Sequence, residues 1–407
     1  MNSLTPRDAH ALMEKIVAQA TGQEIDVLDT TTFVSVGEMV LRTGTENVIN
    51  ALSTVLARTI FSVRPYKSRL QSLQVGAERW GAQIRKVITL YVESEESTDW
   101  NTDVNPNQLI DGGSIDPWKI KKPKAVQLNF YGTQKCQKHY TIFRDQLALA
   151  FSSENEFNSF VSAVMVQMSN EIELLNEAKS RGLLINFMAG ISSMGLTEVD
   201  LVKEYNAKNG TTLTRTQLLS ADYLERFMKF VASTIKIYSS RLRDMSTDNH
   251  AQITGQNKIM RHTPKARQKM WMYEPIFIES ESTVYPSLFN PSYLNIGQFE
   301  GVNFWQSQKD PTMIKCKPNI LDVATGTSKD AETVVELPWV LGLLADEEAL
   351  GVMPQFDHTN TTPVNAAGDY YNVFYHWRFN NYCDYTENAV LFVLGEGGAA
   401  DAQAVTQ

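Results

Sequence analysis

Residues 369–394 read DYYNVFYHWRFNNYCDYTENAVLFVL. Nine of these 26 residues are aromatic, against 10% of the whole chain. Odd positions carry Tyr371, Val373, Tyr375, Trp377 and Phe379, while even positions carry Asn372, His376, Arg378 and Asn380, with Tyr370 and Phe374 as exceptions. Period-2 alternation of aromatic and β-branched residues predicts a strand with one buried face. Eleven such residues span roughly 35 Å at about 3.3 Å per residue. The stretch from Asn380 to Asn388 is polar enough to turn. Ala389–Leu394 is then apolar throughout, the pattern of a strand covered on both faces, and Gly395, Gly397 and Gly398 end it. The long strand, turn and buried strand read as a structural spine with no chemistry visible in it.

The chain around this spine has 407 residues, 43% hydrophobic and 20% charged, enough for a large core in two or three domains. A formal net charge of −9 argues against wrapping nucleic acid through phosphate contacts. Cys136, Cys316 and Cys383 are far apart and odd in number, which predicts free thiols in a reducing compartment. No run of about 18 apolar residues is present, and MNSLTPRDAH lacks a basic-then-apolar signal, so the expectation is a cytoplasmic product with no membrane span.

Towards the N-terminus, Thr5-Pro6-Arg7-Asp8 is a helix start, with Leu12, Ile16 and Ala20 as its weak apolar stripe and Gly22 after its end. Thr45–Phe61 reads as a second helix, stopped by Arg64-Pro65. Ile84–Val92 is β-rich, and Val126, Leu128 and Phe130 alternate with polar neighbours. The segment Glu93–Lys124 between these two strands begins with Glu93, Glu95 and Glu96. It passes through turn signals and ends in Lys119, Lys121, Lys122 and Lys124. So long a connection marks a functional arm, and opposite charges at its ends suit docking on a neighbour. The competing reading of the lysines is a solvated charge run. Trp100 and Trp118 lie inside this polar segment, where tryptophan is a common interface anchor. The candidate contact residues are therefore Trp100, Trp118, Lys121, Lys122, Lys124, Glu95 and Glu96.

Ser153 and Glu156 form a capping box ahead of Phe157, Phe160, Val161, Val164, Met165, Met168, Ile172 and Leu175. This helix is expected to run from Glu154 to about Arg181, roughly 40 Å, with Gly182 as its cap. A shorter helix is expected from Thr197–Asp200 to Gly210, and another from Ser220 through Tyr238. Met270–Ile278 and Phe299–Trp305 look strand-like, and 310–331 loop-rich. Val334–Leu344 is a buried strand interrupted at Pro338, and 399–407 is a loose tail.

The ending DYYNVFYHWRFNNY…NAVLFV, the preceding LGLLADEEALG (341–351) and the helix start NEFNSFVSAV (155–164) resemble the major capsid proteins of tailed bacteriophages. The likeness is to those of small short-tailed phages (podoviruses). The resemblance implies an α+β chain of the Hong Kong 97 fold. It divides the chain into an N-terminal arm and helix (1–65), an extended β-hairpin arm or E-loop (66–140), a peripheral domain with the spine helix (141–189), an axial domain (190–337), a return to the peripheral domain (338–398) and the tail. It further implies pentamers and hexamers of this chain in an icosahedral head shell around double-stranded DNA, with a portal protein as partner. Only about 40 residues precede the Thr45 helix, so a separate scaffolding protein is expected rather than a built-in one. Synthesis would be in the host bacterial cytoplasm and the final location the virion.

Enzyme motifs do not appear. Gly190–Gly195 has phosphate-loop glycine spacing but Leu196 where lysine belongs. Cys136 and His139 have a CxxH spacing without a second pair, so no metal or cofactor is expected. His376 reads as a structural histidine. His250 and His262, with Lys258, Arg261, Lys265, Arg267 and Lys269, read as a solvated face or subunit contact. The alternatives are an encapsulin-like compartment shell, marked by a cargo-peptide groove, and a soluble α+β enzyme forming a small oligomer.

Overall fold

A computed structural model of the protein describes residues 13–15, 17–18, 36, 69–75, 84–92, 118, 120, 122, 124–130, 134–143, 154–253, 258–283 and 298–398. The chain forms two compact units, one of residues 1–82, 132–182 and 352–381, the other of 83–131, 183–351 and 382–407. The expected helix over Thr45–Phe61 and the tail lie outside the described residues. At the N-terminus Met13–Lys15 and Val17-Ala18 are helical, and Met13 and Val17, four apart, are buried. Leu12, Ile16 and Ala20 lie outside the described residues.

In the second unit the first strands are β1 (Ile84–Thr89) and β2 (Ala125–Phe130), antiparallel from Ile84↔Phe130 to Thr89↔Ala125. The two expected strands thus form a hairpin. Its base packs Ile88, Leu90 and Leu128 against Ile253 and Ile259 in one buried cluster.

The first unit is built on a three-stranded sheet in the order β12-β13-β3. Here β3 is Gln134–Phe143, β12 Leu350–Thr361 and β13 Tyr370–Cys383. The period-2 reading holds residue by residue: Tyr371, Val373, Tyr375, Trp377 and Phe379 are buried, and the even positions between them are half-buried. Burying five such side chains is worth about 1.5–3 kcal/mol each before entropy is counted. The strand persists through Asn380 and Asn381 to Cys383, beyond the expected turn, because its pairing and its buried face outweigh the weak strand preference of asparagine. Asn365 makes the turn into β13, its side chain accepting from the amides of Ala367 and Gly368.

Helix α1 covers Glu154–Ser193, 40 residues and about 60 Å, not the shorter helix expected. Gly182 lies inside it rather than capping it. The roughly 1 kcal/mol that glycine costs in a helix is outweighed by burial of Leu183, Leu184, Phe187, Met188 and Ile191 just beyond. The helix ends instead at Gly195, whose φ of +63° suits glycine. Gly195 N–H donates to Ser192 O and Leu196 N–H to Ile191 O, the paired bonds of a Schellman cap.

The second unit holds a five-stranded sheet in the order β4-β14-β11-β5-β6. Its strands are β4 (Glu198–Asp200), β5 (Gln268–Tyr273), β6 (Gln298–Val302), β11 (Val340–Asp346) and β14 (Ala389–Val393). Every residue of β11 and β14 is buried, as the apolar run of β14 requires. The expected spine is therefore divided: β13 belongs to the three-stranded sheet, while β14 pairs with β11 and β4.

Helix α2 (Leu201–Asn209) starts on Asp200, whose carboxylate accepts from Val202 and Lys203 N–H, and ends at Gly210 as expected. Helix α3 (Arg215–Leu218) carries a Thr214–Gln217 capping box that the reading of the sequence passed over. Helix α4 (Leu224–Arg241) lies on the sheet, with Tyr238 edge-on to Phe392 at 5.9 Å.

Three expectations need correction. The apolar run at Met270–Ile278 is a strand only to Tyr273. Helix α5 (Glu274–Thr283) follows, with Pro275 in its first turn, where a missing N–H costs nothing. The strand at Phe299–Trp305 ends at Val302, and the Trp305 indole donates instead to Val340 O at 2.8 Å. The loop-rich 310–331 contains β7 (Ile314–Cys316), β8 (Asn319–Asp322) and β9 (Thr327–Asp330), the last wholly exposed and so without apolar alternation to read. Pro338 does divide β10 (Val335–Leu337) from β11, and β10 pairs with β7.

Candidate functional site

Alternation along β1 turns Ile84, Lys86 and Ile88, with Leu90 beyond, towards the body of the second unit. Three are apolar; the fourth is a cation at a buried-face position. Lys86 Nζ lies 2.8 Å from Asp384 Oδ2, 2.5 Å from Glu387 Oε1 and 3.5 Å from Glu348 Oε2. Asp384 and Glu387 come from the turn before β14 and are buried. Asp384 is held by its own turn, its Oδ1 accepting from Thr386 N at 2.9 Å and Thr386 Oγ1 at 2.6 Å. Arg261 Nη2 sits 3.0 Å from the same Glu387 oxygen that Lys86 contacts, and Arg261 Nε donates to Thr386 O. Beside them Arg267 pairs with Glu347 at 2.8 Å and with Glu348, while Asp346 accepts from Thr263 Oγ1.

Burial pushes the Glu387 carboxyl up, against the pull of Lys86 and Arg261. Burial would lower the Lys86 ammonium, but Asp384 and Glu387 outweigh it and leave it raised. Glu348, more exposed, is held below the usual range because Lys86 and Arg267 outweigh its desolvation. Removing one partner of a buried pair generally costs about 3–5 kcal/mol, since the other charge is left buried.

Within the basic segment, expected as a solvated face or subunit contact, Arg261 and Arg267 neutralise acids of their own chain, while Lys258 is exposed. His250 is buried. Its Nδ1 faces Asn388 Oδ1 at 3.0 Å, and its Nε2 lies 2.9 Å from both Ile259 O and Gln252 Nε2, the latter also donating to Ile259 O. Both oxygens call for a ring N–H, but burial outweighs these hydrogen bonds and lowers the imidazole below its ordinary value. His262 is exposed.

In the first unit, β3, β13 and α1 line an open groove of about 540 Å³ whose walls include Cys136, Tyr140, Ile172, Leu174, Leu175 and Trp377. Tyr140 Oη donates to Glu171, which also takes the Lys138 ammonium. Cys136 lines this groove opposite Trp377, whereas His139 stacks on Phe374 at 5.1 Å. Strand alternation thus puts the CxxH pair on opposite faces. His376 is half-buried and stacks on His358 at 4.6 Å. Gly190 lies in the last turn of α1 against the Tyr385 ring and forms no phosphate loop.

Of the arm residues, Trp118 is 85% exposed and Ile120 81%, and Lys122 and Lys124 are exposed. Trp100, Lys121, Glu95 and Glu96 lie outside the described residues. Reading the sequence missed the Lys86 socket. The available signal was Lys86 at an inward position of an alternating strand, and DYTE (384–387) offering two acids in a turn. Among the described residues no helix is long and apolar enough to cross a membrane.

Residues 11–393 match the family model described as Phi29-like phage major capsid protein. No curated protein matches the chain. Among solved structures, the capsid of Staphylococcus phage Andhra is similar over 83% of this chain and 86% of that one, with a TM-score of 0.53 and 8% identity. A chain in the structure of the head fibre and inner core protein of bacteriophage P68 gives a TM-score of 0.49 and 9% identity over 81% and 86%. The mixed α+β fold is of the Hong Kong 97 type.

Proposed function

We infer the working of this subunit from its family: the chain belongs to the Phi29-like phage major capsid proteins and forms the capsid shell. Its shell is icosahedral, built of pentamers and hexamers, and encloses double-stranded DNA without sequence-specific contact. The family is structural, and we assign the chain no catalytic activity. The supporting observation is the hairpin: two paired strands seated on the body carry a 35-residue excursion, 90–124, with Trp118 and Ile120 exposed on it. Each subunit lays that arm across a neighbour, with Trp100, Trp118, Lys121, Lys122, Lys124, Glu95 and Glu96 as contacts. Many modest contacts repeated by symmetry then resist the packed genome.

The residue ranges read from the resemblance serve as N-terminal arm, peripheral domain and axial domain. A separate scaffolding protein shapes assembly, a portal protein occupies one vertex, and the subunit is made in the host cytoplasm before it enters the virion. Negative-stain electron microscopy of the expressed protein, alone and with a scaffolding partner, tests this reading. Closed shells or hexameric sheets are expected. A monodisperse monomer or dimer under every condition would overturn it.

A further inference from the structure

The hairpin meets the body through two different kinds of contact. The apolar cluster under Ile88, Leu90 and Leu128 is non-directional and tolerates sliding. Directional contacts are added by Tyr91 N–H, which donates to Lys258 O at 3.0 Å just past β1, and by Lys86, whose ammonium has three carboxylates around it. Glu387 is the centre of that socket: one oxygen is shared by the hairpin's cation and by the body's Arg261.

We propose that Lys86 is the positioning residue of the arm, and that Glu387 is a latch which fixes the hairpin on the body while ionised and releases it when neutral. This rests on reading the hairpin as the docking arm. A neutral Glu387 leaves Lys86 and Arg261 on one uncharged oxygen, and their repulsion pushes the hairpin outward. The remaining groups set the balance. Asp384 still holds Lys86 from the body side, and Glu348 does so from the turn after β11. Arg267 competes with Lys86 for Glu348. The Tyr382 phenol and the neutral His250 are close enough to feel the socket and carry no charge near neutrality.

Proton linkage agrees in sign. Glu387 stays buried in the body when Lys86 leaves and then loses a cation that favours its ionised form. The released state therefore takes up the proton more readily, and acid favours release.

Hydrogen–deuterium exchange of the unassembled full-length protein tests this at pH 7.5 and pH 5, corrected for intrinsic exchange. In wild type, peptides covering 84–92 and 125–130 are expected to exchange about tenfold faster at pH 5, while β11 and β14 do not change. Glu387→Gln is expected to show the fast rate at both pH values, and Lys86→Arg to keep the wild-type profile. Hairpin protection in Glu387→Gln equal to wild type at both pH values would overturn the latch. So would equal loosening of β11 and β14, which marks loss of the fold rather than release. If the latch behaves as expected but Glu387→Gln assembles normally, the latch stands and the docking role of the arm fails.

Discussion

Two glycines inside one helix should respond in opposite directions to the same substitution. A Cβ at Gly190 would stand 2.1 Å from Tyr385 Oη, 2.6 Å from Cζ and 2.7 Å from Cε1. Ordinary carbon contacts need about 3.5–4.0 Å, so the Tyr385 ring has to move by about 1 Å or more. It cannot do so cheaply, because it stacks on Phe187 at 4.9 Å with an 11° interplanar angle, and its hydroxyl donates to Asn319 O at 2.9 Å. Overpacking costs about 1–3 kcal/mol, the stack about 0.5–1.5 and the hydrogen bond about 0.5–1.5. Alanine's helix preference returns about 1. Gly190→Ala should therefore destabilise by about 1–5 kcal/mol. At Gly182 a Cβ meets nothing within 4 Å, so Gly182→Ala should stabilise by up to about 1 kcal/mol. Urea unfolding followed by tryptophan fluorescence and by circular dichroism reads both variants. A Gly190→Ala midpoint equal to or above that of wild type would refute the packing of Tyr385 on this helix.

Asp200 caps α2 and also accepts Gly395 N–H at 3.0 Å, so Asp200→Ala should cost about 1–3 kcal/mol in urea unfolding, with Asp200→Asn retaining most of it. His250 is depressed by burial, so the unfolded chain takes its proton first. Stability should fall as pH drops below about 6.5 and towards the folded value, and His250→Asn should flatten that slope in unfolding midpoints measured from pH 7.5 to 5.5. Glu387, raised by burial, carries the opposite sign for global unfolding and adds stability as pH falls through its folded value, above the usual 4.5. Replacing Trp100 and Trp118 together by serine should block shell assembly in negative-stain images while circular dichroism and sedimentation report a folded monomer. Normal shells from that variant would remove the case for the arm as the docking element.

The sequence was legible where one physical pattern governs a stretch. The alternation around Tyr371–Phe379 and the unbroken apolar run at Ala389–Val393 each have one dominant cause, burial on one face or on two. It was less legible where a local signal competes with distant packing. Gly182 is a good cap in isolation and an interior residue once Leu183–Ile191 have a core to fill. Met270–Ile278 is apolar except for Glu274 and Pro275, and only that pair hints that a helix begins there. The socket is the hardest case. Lys86 and Glu387 are 301 residues apart, and neither stands out among its neighbours until β1 and the turn before β14 are brought together.

The way the strands are drawn from both ends of the chain governs when the protein can fold as it is made. Thr141 hydrogen-bonds to Asn372, 231 residues later, and that bond belongs to the ladder that completes the three-stranded sheet. At about 5–20 residues per second, a ribosome needs roughly 10–50 s to deliver β13 after β3 has emerged. The five-stranded sheet waits longer still, because β14 is inserted between β4 and β11 near the end of the chain. Through that interval β3, β4 and β11 lack their final partners, and open strand edges invite pairing with other nascent chains. Neither sheet can therefore close until most of the chain has been made.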